Sequence, residues 1–174
     1  MEEFLSYGEI VLRTLFAVVG GGALGWQREL HGKPAGLRTQ MLVALGAASF
    51  TILALELYES SIESDRPHAL DPMRVIQGVI AGVGFLGAGT IIEARGSVKG
   101  LTTAATIWVV AALGVACGLG YYVLAGTTFG FTLLILVAMK VMEDRLIGSD
   151  SKKTGHNERT DPSQAEPPAR ESDT

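Results

Sequence analysis

One cysteine in 174 residues, Cys117, rules out an intrachain disulfide. It falls inside an apolar run, where a small buried side chain is the ordinary role. Histidine is almost as scarce, and His31, His68 and His156 lie in separate segments with no spacing that would gather them on a metal. No phosphate-cradling glycine loop, nucleophile elbow or zincin motif occurs. The expectation is therefore a non-enzyme without catalytic residues, cofactor, metal ligands or a nucleic-acid partner. The apolar runs also lack an acidic residue at mid-depth, which counts against cation passage. Bases are missing from the N-terminus, where Glu2, Glu3 and Glu9 precede the first arginine. A cleaved secretory signal needs a positive start, so the first apolar run is expected to be retained.

Hydrophobic residues make up 48% of the chain, and they are gathered in blocks. Five runs reach the roughly 18 nearly uncharged residues needed to cross a hydrocarbon core of about 30 Å. They are Tyr7–Gln27, Pro34–Leu57, Pro72–Ile92, Leu101–Gly120 and Tyr121–Met142. This predicts an all-α integral membrane protein, a bundle of five transmembrane helices embedded in a lipid bilayer. Arg28, Lys33, Arg38, Arg95, Lys99, Lys140, Arg145, Lys152 and Lys153 flank one side, against Arg66 and Arg74 on the other. The positive-inside rule then places the N-terminus outside and the C-terminus in the cytoplasm. Residues 1–148 form the expected membrane domain. From Ser149 to Thr174 the composition cannot bury a core, and a disordered cytoplasmic tail is expected.

The third run begins with Asp71 and Pro72, a good helix start because Asp accepts from free N–H groups and Pro loses nothing at the first position. At 100° per residue Gly78, Gly82 and Gly89 share one side, while Gly84 and Gly87 lie opposite. Small residues on two faces predict a central, closely packed helix. The alternative is an unwound GFLGAGT segment that offers carbonyls to an ion. Within the membrane, Arg13, Gln77, Thr102, Thr103 and Thr106 are the polar residues to explain. Arg13 either snorkels or pairs with Glu9, or it lines an outward-facing cleft. The threonines can bond to their own helix or to a neighbour. Trp108 is too deep for an interfacial belt and is expected to be a bundle contact.

The densest polar cluster joins the first two runs in WQRELHGKPAGLRTQ, with Pro34 expected to begin the second helix. Arg28, Glu29, Lys33, Arg38 and Thr39 lie here, and Glu93, Arg95 and Lys99 lie in the second inner link, EARGSVKG. Two roles are open for this cytoplasmic cluster. Glu29 and Glu93 answer the nearby bases in structural pairs, or the group forms a ligand pocket.

The segments RELHGKPAGLRTQMLVALGAA, GVGFLGAGTI and GSVKGLTTAATIWVVAALGVACGLG, in this order, resemble the MgtC/SapB family of bacterial inner-membrane proteins. The resemblance covers nearly all of the membrane region. It implies a five-helix domain in the bacterial inner membrane with a link to magnesium limitation, acid stress and virulence. The family positions present here are Glu29, Ala35, Gly36, Leu37, Arg38, Thr39, Gly82, Gly84, Gly87, Gly89, Gly100, Leu101, Thr103, Ala104, Ala105 and Trp108. The best-known members continue into a cytoplasmic domain of the ACT type, which is not expected from the polar tail here. The leading expectation is a non-enzymatic modulator of another membrane protein or of ion homeostasis, acting with that partner or by self-association. A small cation transporter or channel, or a magnesium-transport accessory protein, is the alternative.

Overall fold

A computed structural model describes residues 5–63, 71–94 and 97–154. It contains α1 (Tyr7–Leu30), α2 (Leu37–Glu63), α3 (Pro72–Gly89), β1 (Ile92–Ala94), β2 (Ser97–Lys99), α4 (Leu101–Gly118) and α5 (Tyr122–Thr154). All five helices include a stretch long and apolar enough to cross a membrane. The chain divides into two units, one ending at Leu134 and the other beginning at Ile135. The first holds α1 to α4 and the opening turns of α5. In the second, the described residues are the remainder of α5.

The helix ends follow local chemistry. Ser6 and Glu9 form a capping box at the start of α1, each side chain accepting from the other's backbone N–H. At the end of α1, Lys33 donates to the carbonyl of Arg28 and Gly32 to that of Glu29. With Gly32 left-handed at φ 60°, this is a Schellman termination. Asp71 caps α3 through a 2.9 Å bond from Met73 N, ahead of Pro72, as the sequence predicts. The second run departs from expectation, because α2 begins at Leu37 and Pro34 belongs to the link. The third stops at Gly89, and the following residues turn into a short antiparallel hairpin with Glu93 opposite Val98. At the far end, α5 runs past the expected boundary at Ser149 to Thr154; no proline interrupts the chain before Pro162. Residues 155–174 of the expected tail lie outside the described residues.

Helix α4, not α3, is the centre of the first unit. Buried residues make up 56% of the membrane-crossing window of α4 and 11% of that of α3. Helix α4 packs against α1, α2 and α3, and α2 packs against the other three. The close contacts use small residues of α1, α2 and α4. A Cβ on Gly21 would lie 2.7 Å from the Gln40 carbonyl oxygen and 2.8 Å from the Ala44 methyl. A Cβ on Gly114 would run into the Ala44 carbonyl oxygen from the other side. Gly25 and Gly118, one turn further along α1 and α4, meet the backbone at Leu37 and Ala48 in the same way. Helix α2 is thus gripped between two Gly-xxx-Gly faces, the arrangement that lets membrane helices approach closely. The glycines of α3 do not act this way within the chain. Among the described residues, Gly78, Gly82, Gly84 and Gly89 face open space, and only Gly87 has a neighbour, Ala104. Trp108 is 51% exposed and is not the expected bundle contact.

Candidate polar site at the ends of α1, α2 and α4

Arg28 lies in the last turn of α1 and is 3% exposed. Its Nε and Nη2 donate to the Pro34 carbonyl at 3.3 and 3.2 Å, and Nη2 also donates to Thr103 Oγ1 at 2.6 Å. Thr103 is in the first turn of α4, so one guanidinium joins the end of α1, the link and the start of α4. Gln40, fully buried in α2, donates from Nε2 to the next carbonyl, that of Ala35, at 3.2 Å. Consecutive link carbonyls are therefore held by a side chain from each flanking helix. Between them the chain turns sharply, and Ala35 adopts the left-handed region at φ 55°. The Gln40 Oε1 is buried without a hydrogen-bond partner among the described residues.

Glu29, adjacent to Arg28, faces another way. Its Oε2 accepts from Leu37 N at 2.9 Å and so caps the start of α2 from the end of α1. A carboxylate suits the positive end of a helix and one of its free N–H groups. Gly36 leaves room for it, since a Cβ there would lie 2.7 Å from Oε2. Gly100 joins the hairpin to α4 at φ 91°, where a Cβ would run into the Thr90 carbonyl oxygen. Only glycine permits both that conformation and that contact.

Of the polar residues singled out from the sequence, Arg28 and Glu29 of the expected cluster and the intramembrane Thr103 lie at the three helix ends, and Thr106 is buried next to Thr103, donating to its carbonyl at 2.9 Å. Lys33, Arg38, Thr39, Glu93, Lys99 and Thr102 are exposed, and Arg95 lies outside the described residues. Among the described residues Glu29 pairs with no base, and the bond it makes is the one that caps α2. Gln77 is exposed on α3. Sequence reasoning gave Gln40 no part here. Its position one turn into a helix entered through a glycine link was the available signal.

At the opposite end of α4, Arg13 performs the matching task. Its Nη1 donates to the Gly118 carbonyl at 2.8 Å, and its guanidinium lies over Gly120, which is left-handed at φ 78°. A cation at a helix C-terminus answers free carbonyls and the negative end of the dipole. Glu9, the expected partner, is occupied in the capping box. The Arg13 Nε is buried without a partner among the described residues.

The chain is 39% identical over 142 residues to YhiD of Escherichia coli strain K12, provisionally named a magnesium transporter; the match covers 82% of this chain and 66% of YhiD. It is 42% identical to protein SrpB of Synechococcus elongatus, over 80% of this chain and 81% of SrpB. It is 38% identical to protein MgtC of Salmonella typhimurium, over 79% of this chain and 54% of that protein. The chain thus spans just under two thirds of YhiD and about half of that MgtC. No solved structure matches. The MgtC family profile matches residues 14–145, and the chain belongs to the MgtC family, as a multi-pass protein of the bacterial inner membrane.

Proposed function

We propose that this protein is a non-enzymatic modulator of another inner-membrane protein in magnesium homeostasis, acting when magnesium is limiting. The observation that carries this reading is the contrast between a packed centre and an open flank. Helices α1, α2 and α4 touch backbone to backbone, which leaves the centre of the unit to packing. No described residue covers the smooth face of α3, and between α3 and α2 runs an apolar groove of about 640 Å³ that includes Phe50, Val79, Leu86, Gly78 and Gly82. Such a surface suits a transmembrane helix of another protein. The name of one relative, YhiD, supplies the magnesium link.

The name of YhiD also favours a second reading, a magnesium transporter. Liposomes separate the two. On the modulator reading, purified protein moves Mg²⁺ no faster than empty vesicles. Cells lacking the protein grow poorly in magnesium-depleted medium, and the wild-type chain restores growth where Gly82→Leu does not. Robust Mg²⁺ flux through the pure protein would overturn this reading and establish the second.

A further inference from the structure

The hairpin between α3 and α4 has no support of its own. Its strands are three residues each, and a strand pair with no third strand or packed helix is marginal in water. Ile92, Glu93, Ser97, Val98 and Lys99 are all exposed, so the hairpin has no cover among the described residues. It also cannot travel far from the bilayer. Helix α3 ends at Gly89 and α4 begins at Leu101, and a three-residue strand reaches only about 10 Å. The surface within reach is that of the membrane.

The register distinguishes the two faces of the hairpin. Ile92 stands opposite Lys99, and Glu93 opposite Val98. Cross-strand partners share a face and neighbours along a strand alternate, so Ile92 and Lys99 lie on one side and Glu93 and Val98 on the other. The first side joins an apolar residue that is 62% exposed to a lysine, whose stem suits apolar surroundings while its head stays in water. The second side carries the acid. A negatively charged surface attracts the Lys99 face and repels that of Glu93.

The link between α1 and α2 ends on the same side of the bundle and adds to the positive charge. Lys33 follows α1 and Arg38 lies in the first turn of α2; like Lys99, both are exposed and without an ion pair among the described residues. Glu29 is committed to its bond from Leu37 N. Trp26 and Leu30, exposed at the end of α1, mark the depth, since interfacial tryptophans sit at headgroup level. Unpaired bases beside an apolar and aromatic rim are complementary to anionic lipid.

We propose that the hairpin lies on the bilayer with its Ile92–Lys99 face down, and that Lys99, Lys33 and Arg38 bind the headgroups of anionic phospholipids. This surface is separate from the α2–α3 groove invoked for the modulator role, so either can fail without the other.

The test uses the full chain in vesicles of mixed phosphatidylcholine and phosphatidylglycerol. The chain has two tryptophans, and Trp108→Phe leaves Trp26 as the reporter for this end. Acyl-brominated phosphatidylglycerol is expected to quench Trp26 more than brominated phosphatidylcholine at equal mole fraction, with the preference falling as salt is added. Lys33→Gln, Arg38→Gln and Lys99→Gln are each expected to weaken the preference about fivefold, as for one base near an anionic surface. Arg74→Gln, at the other end of the bundle, leaves it unchanged. All four side chains are exposed, which keeps the fold out of the comparison. The orientation of the hairpin is read with both Trp26→Phe and Trp108→Phe in place. Ile92→Trp is then expected to be quenched by brominated lipid and shielded from acrylamide, and Val98→Trp to be open to acrylamide. Equal quenching of Trp26 by the two lipids, a preference that survives loss of all three bases or falls as far in Arg74→Gln, or an Ile92→Trp chain open to acrylamide overturns the proposal.

Discussion

Arg28 and Thr103, 75 residues apart in sequence, share a 2.6 Å hydrogen bond that fixes the end of α1 to the start of α4. Arg13 and Gly118 repeat the connection at the other end. Both pairs span the same length of helix, about 22 Å at 1.5 Å per residue. Two antiparallel helices are thereby pinned at both ends by arginines of one of them. The pins fix register where apolar packing alone would allow sliding.

Removing the Arg13 pin tests this arrangement. Arg13→Leu leaves the Gly118 carbonyl without its donor and is expected to lower stability by about 1.5–3 kcal/mol, the range for a hydrogen bond to a charged group. Arg13→Lys, which keeps a donor and the charge, is expected to recover part of the loss. Thermal unfolding of the purified protein reads both.

The link between α1 and α2 carries strain at one residue. Ala35 sits in the left-handed region, which costs a residue with a Cβ about 1–2 kcal/mol. Ala35→Gly is expected to raise stability, by less than that amount because glycine also loosens the unfolded chain. Gly100→Ala has the opposite sign and is expected to prevent folding, since its Cβ would occupy the position of the Thr90 carbonyl oxygen. Expression level and the unfolding midpoint check the pair.

Glu29 is expected to act as a cap rather than an ion-pair partner. Glu29→Ala should cost about 0.5–2 kcal/mol, the usual range for a lost N-cap. Glu29→Gln, which keeps a carbonyl oxygen for Leu37 N, should cost less. If Glu29 served mainly to neutralise a base, the two variants would be equally damaging.

The five spans were legible because each is an unbroken apolar block, and Asp71 with Pro72 announced the start of α3. The centre of the bundle was not. Gly78, Gly82 and Gly89 share a face on a helical wheel, yet a wheel does not say whether a neighbour is present, and among the described residues none is. The glycines that do pack, Gly21, Gly25, Gly114 and Gly118, are spaced four apart in α1 and α4 and depend on small residues of α2 opposite them. That complementarity is a property of two sequences brought together, invisible in either one. Arg28 stood out as part of a polar cluster, but nothing local distinguished its burial from the exposure of Arg38, because Thr103 arrives from a distant segment. The role of Arg13 was hidden for the same reason, since the Gly118 carbonyl is a backbone group 105 residues away.

The position of α4 at the centre is tested most directly by comparing Gly114→Leu with Gly82→Leu in thermal unfolding of the purified protein. Gly114 lies against the α2 backbone and Gly82 against open space. Gly114→Leu is expected to lose at least the 1–3 kcal/mol or so of an overpacked core, or to fail to fold. Gly82→Leu is expected to unfold within about 1 kcal/mol of wild type, with any gain coming from helix propensity. The reverse order, with Gly82→Leu disruptive and Gly114→Leu tolerated, would contradict a bundle built around α4.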